Sequence, residues 1–254
     1  MKNTKQDLST KNEITWCPGC TNFLILESVK QALAKLIDSG EYKQTDFVMT
    51  TDIGCNSKIY DYLNLSGVCG LHGRSIATGF GIVLGNPKLK VLAFIGDGGC
   101  YDEGISHFIH TLRYNEDMTI VVHDNQGFSL TTGQPTATSQ QGYKSKATPG
   151  GEKYKPLNPI KLAIASNASF IARCDARDIK HTAEILEKAI KHKGCSFVEI
   201  IQDCLIFNTE INKTSLIYKI KDNKDKKHAE ELANEWDYNS KKGKIPVGVI
   251  YQEN

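Results

Sequence analysis

Five consecutive apolar residues, Val91 to Ile95, run without alternation into Gly96-Asp97-Gly98-Gly99. That pattern predicts a strand buried on both faces, stopping at three flexible glycines and one carboxylate. A second apolar run, Met118 to His123, ends likewise in Asp124-Asn125-Gln126-Gly127, and Gly104 to Tyr114 between them reads as a helix. Together they predict a right-handed βαβ unit. Ligands in such sheets sit at the carboxyl ends of the strands, so Asp97 and Asn125 are expected to meet there.

The pattern continues in both directions. Met1 to Ile14 is polar and without periodicity, and residues 1–15 read as an arm that either frays or covers a partner or site. Phe23, Leu24, Leu26, Val29, Leu33, Leu36 and Ile37 follow a helical repeat, with Thr21 or Asn22 as cap and Gly40 as stop. Asp46 to Thr51 predicts a strand, Val68 to Arg74 a loop, and Ser75 to Leu84 a helix whose Gly79, Gly81 and Gly85 would let another backbone come close. From Phe128 to Asn158 the composition turns to Thr, Gly, Gln, Ser, Lys and Pro, expected to be a lid or partner-binding loop. Helices at Ile160–Asn167 and Ile179–His192 alternate with strands at Ser169–Cys174 and Ser196–Ile201, the latter read as the last core strand. Beyond Thr209 a Lys-rich stretch holds one helix, Lys226 to Trp236, and a short strand, Ile245 to Tyr251. The whole predicts an α/β fold with a doubly wound, mostly parallel sheet: an arm at 1–15, a core at 16–208 and an extension at 209–254 packing on it.

Composition narrows the function. With 31 basic against 29 acidic residues, the net charge of +2 gives no reason to invoke nucleic acid or an anionic membrane. No apolar run reaches the roughly 18 residues of a membrane span, and the polar start is unlike a secretory leader, so a cytoplasmic location is expected. Eight cysteines in that setting point to thiols or metal ligands rather than disulfides.

Gly96, Gly98 and Gly99 suit close approach to a phosphate, and Asp97 is a hard oxygen ligand suited to Mg²⁺. Cys17-Pro-Gly-Cys20 opens a predicted helix, where the dipole favours thiolate. It has three readings. A thioredoxin-type pair normally follows a strand, which is absent here; a zinc knuckle commonly uses a second close pair, which the chain lacks. An iron–sulfur cluster needs four thiolates that need not be neighbours in sequence. Cys55 and Cys204 lie past strand ends on the edge that presents Asp97, but so does Cys100, and spacing alone does not choose. Cys69, Cys174 and Cys195 read as small hydrophobes.

Six blocks resemble, in order, the β subunit of 2-oxoacid:ferredoxin oxidoreductases: Trp16-Cys-Pro-Gly-Cys20, Ile53-Gly-Cys55, Leu71-His-Gly-Arg74, Gly96-Asp-Gly98, Asp124-Asn125 with Leu130 to Gln134, and Cys204 to Asn208. The resemblance implies thiamine diphosphate, Mg²⁺ and one [4Fe–4S] cluster. The cluster ligands carried over are Cys17, Cys20, Cys55 and Cys204, and the Mg²⁺ ligands Asp97, Asn125 and the carbonyl of Gly127. The cofactor shell would comprise Gly54, Cys55, Asn56, His72, Asp97, Gly98, Gly99, Asn125, Gly127, Ser129 and Leu130. His72, Arg74 and Lys58 would steady the diphosphate or the substrate carboxylate.

The resemblance also implies a CoA-dependent oxidative decarboxylation of a 2-oxoacid, with ferredoxin as acceptor. No Glu here matches the one that activates the aminopyrimidine ring, which in that family comes from the α subunit, so the chain is expected to need that partner. Some positions depart from the family: Gly99 replaces a carboxylate, Phe128-Ser129 replaces Tyr-Gly, Thr21 replaces Gly, and Thr132 stands where some members carry Gly or Lys. The region of Thr132 faces substrate in the family, which leaves the choice among pyruvate, 2-oxoglutarate and branched or aryl 2-oxoacids open. The competing readings are a cluster-free thiamine-dependent decarboxylase or synthase subunit, and a non-catalytic zinc-binding module.

Overall fold

The computed structural model describes residues 4–209, 211, 214–239 and 243–253. The remaining positions of the arm and the extension lie outside the described residues.

From Thr4 onward the arm is docked rather than frayed. Thr4–Asp7 forms a single turn, α1, and Leu8 behind it is fully buried in the core. The Thr4 hydroxyl donates to Asp38 Oδ1 at 2.5 Å, and Ser9 pairs antiparallel with Leu63. One large buried side chain was enough to anchor a polar segment, because a single apolar residue carries no periodicity to read.

Helix α2 spans Asn22–Asp38. Thr21 is its N-cap but makes no side-chain cap; its hydroxyl instead donates to Gln202 Oε1 at 2.9 Å, tying the helix start to the segment that leaves the strand Ser196–Ile201. Gly40, at φ +78°, turns the chain out of the helix in a conformation only glycine adopts without strain. Strand β1 (Phe47–Thr51), helix α3 (Ile59–Tyr62) and strand β2 (Ser66–Cys69) follow. Sequence reading assigned the end of β2 to a loop; it is a short edge strand, largely exposed, with no buried face to impose alternation. Cys69 is accordingly exposed, not a core hydrophobe.

Helix α4 (Ser75–Gly85) packs on strand β3 (Lys90–Gly96). Of its glycines, only Gly79 is closely approached, and by side chains: a Cβ there would meet Met118, Val91 and Thr50 at 3.0–3.2 Å, whereas Gly81 and Gly85 have nothing within 4 Å. A π-type turn over Gly98–Glu103 leads into α5 (Ile105–Tyr114), then β4 (Met118–Asp124). After a long irregular segment come α6 (Pro159–Ala165), β5 (Phe170–Asp175), α7 (Ile179–Lys191) and β6 (Ser196–Ile201). The last elements are β7 (Ile217–Lys219), α8 (Lys226–Glu235) and β8 (Ile245–Gln252).

Among the described residues the strands form one eight-stranded sheet in the order β2-β1-β3-β4-β6-β5-β8-β7. All neighbours are parallel except β5 and β8. β6 is therefore not the last strand of the core: β8 is buried along most of its length and completes the sheet beside β5. Helices cover both faces, as the doubly wound reading expected. Leu92, Phe94 and Val121 face α2 and α7, while Val91, Ala93, Ile95, Ile120 and Val122 face the layer of α4, α5, α6 and α8.

The extension is joined to the core by a buried polar cluster. Arg173 Nε donates to Glu199 Oε2 at 2.7 Å, and Tyr238 hydrogen-bonds both Glu199 and Arg173 at 2.6 Å, with all three side chains buried. Removing a charge pair from water is costly unless further hydrogen bonds complete it, and Tyr238 supplies them.

Candidate functional site

The carboxyl ends of β1, β3 and β4 border one cleft, because all three strands run the same way and stop at the same edge. Gly54, Cys55, Asn56, His72, Asp97, Gly98, Gly99, Asn125, Gly127, Ser129 and Leu130, all singled out from sequence, line it together. Asp97 and Asn125 do meet there, since Gly96 is paired in register with His123.

The walls of this cleft leave no room for larger residues at Gly98 and Gly99. A Cβ on Gly98 would lie 2.3 Å from the Phe128 ring, and one on Gly99 would lie 2.0 Å from Asp52 Oδ2. The space beside position 99 is held by the Asp52 carboxylate. Asp52 is fully buried, accepts from Asn56 Nδ2 at 2.7 Å and from the Gly73 N–H at 3.3 Å, and burial pushes its carboxyl up to about 6.

Sequence reading missed the residues that hold Asp97. The long segment after Phe128 does not stand apart from the site; it folds back so that Thr136 and Thr138 donate to Asp97 Oδ2 at 2.5 and 3.1 Å. Thr138 also lies 3.0 Å from Asp124 Oδ1, and Ser139 donates to the carbonyl of Gln126 at 2.6 Å. The signal was present as the run Thr136-Ala137-Thr138-Ser139, but nothing local says which carboxylate a hydroxyl will face. Burial pushes Asp97 up to about 7 and Asp124 well above the ordinary carboxylate range, with the charge of Asp97 adding to the shift of Asp124.

His72 lies on the cleft wall with Nδ1 at 3.3 Å from Glu103 Oε2 and 3.7 Å from Asp52 Oδ2. Arg74 does not reach the cleft. It is exposed, and its guanidinium donates to the backbone carbonyl of Glu103 at 3.0 Å. Lys58 is also absent from this wall; its ammonium bonds the hydroxyl and carbonyl of Thr15 at 3.0 and 3.2 Å.

A second cavity, about 430 Å³, adjoins the first, and Cys55, Asn125, Ser129 and Leu130 belong to both walls. Cys17, Cys20, Cys55 and Cys204 all line it, with Lys58 and Trp16 at its rim. Cys100 does not line it and is buried elsewhere, in the core on the α4–α5 side. Trp16 fastens two cysteine-bearing segments, its indole N–H donating to the Cys55 carbonyl at 2.7 Å while its ring packs edge-on against Phe23 and Tyr62. Cys204 Sγ accepts from the Phe207 N–H at 3.5 Å.

The helix start does not leave Cys20 a ready thiolate. Burial raises its pKa, and burial with the neighbouring cysteines pushes Cys55 up to about 11. A cation among these sulfurs would favour the thiolate of Cys20 and Cys55 against that burial. Among the described residues, no three His, Cys, Asp or Glu side chains are gathered tightly enough for a single metal ion.

Phe128 pairs antiparallel with Gln134 to close a small loop, inside which Thr132 has φ +82°. A β-branched residue is strained there. No helix among the described residues is long and apolar enough to cross a membrane.

Comparison with known proteins agrees with this geometry. The family model described as thiamine pyrophosphate enzyme, C-terminal TPP binding domain, matches residues 52–200, from the end of β1 to within β6. The chain is 37% identical to the β subunit of 2-oxoacid:ferredoxin oxidoreductase 1 of Aeropyrum pernix, over 93% of this chain and 77% of that protein. It is 36% identical to the corresponding β subunit of Saccharolobus solfataricus, over 93% of this chain and 81% of that one. A solved structure, a 2-oxoglutarate:ferredoxin oxidoreductase from Magnetococcus marinus with 2-oxoglutarate, coenzyme A and succinyl-CoA bound, superposes with a TM-score of 0.91 at 32% identity, covering 100% of this chain and 87% of that one. With the cleft at the strand ends and these relatives spanning nearly its whole length, the chain belongs to the family of β subunits of 2-oxoacid:ferredoxin oxidoreductases, built on a thiamine pyrophosphate-binding domain.

Proposed function

We propose that this chain, joined to an α subunit, oxidatively decarboxylates a 2-oxoacid to acyl-CoA and CO₂, with electrons leaving through a [4Fe–4S] cluster to ferredoxin. The observation that carries this reading is the shared wall between the cysteine cavity and the glycine-lined cleft. Electron hand-off needs donor and acceptor sites side by side, and Cys55 and Asn125 border both.

The residues suit the groups. Gly96, Gly98 and Gly99 line the cleft beside Asp97, where a backbone without side chains suits the close approach of a diphosphate. Asp97, Asn125 and the Gly127 carbonyl offer an all-oxygen donor set, and a carboxylate kept high by burial gains from a divalent cation beside it. Cys17, Cys20, Cys55 and Cys204 line one cavity of about 430 Å³, room enough for a multi-iron cluster held by four thiolates. When bound, thiamine diphosphate supplies the carbanion chemistry that releases CO₂ from the 2-oxoacid, and the cluster takes up electrons one at a time.

The protein's own part is binding, orientation and exclusion of water. Thr136 and Thr138 keep Asp97 oriented, and Trp16 holds Cys55 in place. His72 presents its ring to the cleft, where it is suited to a phosphate or a substrate carboxylate. Lys58 brings a positive charge to the cysteine cavity and not to the cleft. The activating Glu is to come from the α subunit, and the cleft wall with exposed Leu130 is where that subunit would close over the cofactor.

The test is anaerobic co-expression with an α subunit and assay against a panel of 2-oxoacids with coenzyme A and a low-potential dye. The expected result is four irons per chain, an absorbance shoulder near about 400 nm typical of thiolate-bound iron, and activity that needs both subunits. Zinc in place of iron, or full activity of the isolated chain, would overturn it. Retained thiamine diphosphate without iron would favour the cluster-free decarboxylase instead.

A further inference from the structure

The loop that carries Cys204 is closed at its base and exposed at its tip. The backbone N–H groups of Cys204 and Asn208 each donate to the other's carbonyl at 3.1 Å, pairing the two residues antiparallel around the exposed Leu205, Ile206 and Phe207. Whatever fixes Cys204 therefore also fixes Asn208.

Asn208 is buried, and its side-chain Nδ2 donates to two consecutive carbonyls of the turn after β4, Asn125 at 3.1 Å and Gln126 at 3.3 Å. An amide NH₂ carries two protons, one for each carbonyl. Asn125 and Gly127, on either side of Gln126, are the residues proposed above as Mg²⁺ ligands. Gln126 itself has φ +55°, a left-handed conformation that costs a residue with a Cβ about 1–2 kcal/mol. Such a turn persists only where its surroundings hold it. The Gln126 carbonyl accepts from the Ser139 hydroxyl at 2.6 Å as well as from Asn208, and its N–H donates to Asp124 Oδ1 at 3.0 Å. Of these three holds, Asn208 alone comes from the loop that carries Cys204.

A second tie reaches the same loop from another side. The Tyr143 hydroxyl lies 3.0 Å from the Gly133 carbonyl and 3.2 Å from the Phe207 carbonyl, joining the loop to a residue outside the metal turn.

We infer that Asn208 makes the cysteine cavity and the cofactor cleft a cooperative pair, fastening the Cys204 loop to the Asn125 and Gln126 carbonyls so that cluster and thiamine diphosphate each tighten the other's binding. Asn208 is a positioning residue for both. The freedom of loop and turn is lost once, to whichever group binds first, and the second binds to a site already ordered. Coupling of this kind is reciprocal. The inference rests on the reading of Cys204 as a cluster ligand and of Asn125 and Gly127 as Mg²⁺ ligands.

The experiment measures Mg²⁺–thiamine diphosphate affinity of the αβ complex by calorimetry in two forms, one with its iron in place and one stripped anaerobically by a chelator and returned to Mg²⁺ buffer. In the wild type the loaded form should bind about tenfold tighter, within the usual range for coupled sites. Asn208→Ala and Asn208→Asp both remove the donors and should abolish the difference between the two forms. Tyr143→Phe disturbs the same loop but leaves the Asn208 bonds, and should keep the wild-type ratio. The reverse direction is read from the rate of iron release to a chelator, which bound thiamine diphosphate should slow in the wild type and in Tyr143→Phe but not in the Asn208 variants.

Equal affinities of the loaded and stripped wild type would overturn the coupling. A ratio retained in both Asn208 variants would show that it runs by another route, and a ratio lost equally in Tyr143→Phe would mean a general loosening of the loop; either result sinks the role of Asn208. A wild-type complex with no [4Fe–4S] cluster would instead bring down the functional reading beneath it.

Discussion

The hydroxyl of Thr136 donates to Asp97 Oδ2 across 2.5 Å, linking the segment that follows the cleft to the carboxylate at its floor. Hydrogen bonds to charged groups are worth about 1.5–3 kcal/mol, and partners that orient a metal ligand change affinity roughly 10- to 100-fold. Thr136→Val is expected to weaken Mg²⁺ and thiamine diphosphate binding by about that factor, with Thr136→Ser close to wild type. Calorimetric titration of the αβ complex checks it; equal affinity in the Val variant would rule out the orienting role.

Gly98 has no space for a methyl group. Its Cβ would meet the Phe128 ring at 2.3 Å, so Gly98→Ala forces the ring or the turn to move. Overpacking of this kind costs about 1–3 kcal/mol, and here it would also disturb the cleft wall. Loss of cofactor retention on gel filtration is expected, partly restored by adding Phe128→Leu.

Arg173, Glu199 and Tyr238 test how firmly the extension belongs to the core. Arg173→Met leaves the Glu199 carboxylate buried without its charge partner, which costs about 3–5 kcal/mol. Urea unfolding should show that loss. A drop below about 1 kcal/mol would mean that Glu199 takes up a proton and is content with Tyr238 alone.

Asp178 caps α7, accepting from the His181 N–H at 3.1 Å, and also pairs with Lys219 of β7 at 2.6 Å. The Lys219 bond and the cap hold its carboxyl below the ordinary range against the opposing effect of burial. A group with a lowered folded pKa stabilises above its unfolded value, about 3.9, and the contribution is lost as pH falls through the folded value. Asp178→Ala should therefore cost about 1 kcal/mol at pH 7, and the difference from wild type should shrink below about pH 4. Thermal melts across that window decide; a difference independent of pH would refute the account.

Thr132, at φ +82°, carries a conformation that costs a non-glycine residue roughly 1–2 kcal/mol. Thr132→Gly should raise the melting temperature by a few degrees, the relief being partly offset by glycine's greater freedom in the unfolded chain. No gain would mean that other contacts of Thr132 balance the strain.

Much of the site was legible before the fold. Val91–Ile95 and Met118–His123 announced two buried parallel strands, and the small polar residues that end them marked the edge where Asp97 and Asn125 meet. Less was legible where a residue acts alone. Leu8 anchors the arm, β2 is an edge strand with no buried face, and Arg74 turns outward to the Glu103 carbonyl although its neighbour His72 turns in. None of these has a period or a spacing that distinguishes the outcome.

By itself, then, the order of apolar and small residues determined the layered α/β architecture, the ends of the main strands and the glycine-lined turn, because those depend on interactions within a few residues of one another. Only the tertiary structure decided which of the cysteines share a cavity, that Asp52 stands where position 99 has no side chain, and that Thr136, Thr138 and Asn208 join the site. Those groups lie tens of residues apart, and packing of the strands at a common edge is what brings them within reach.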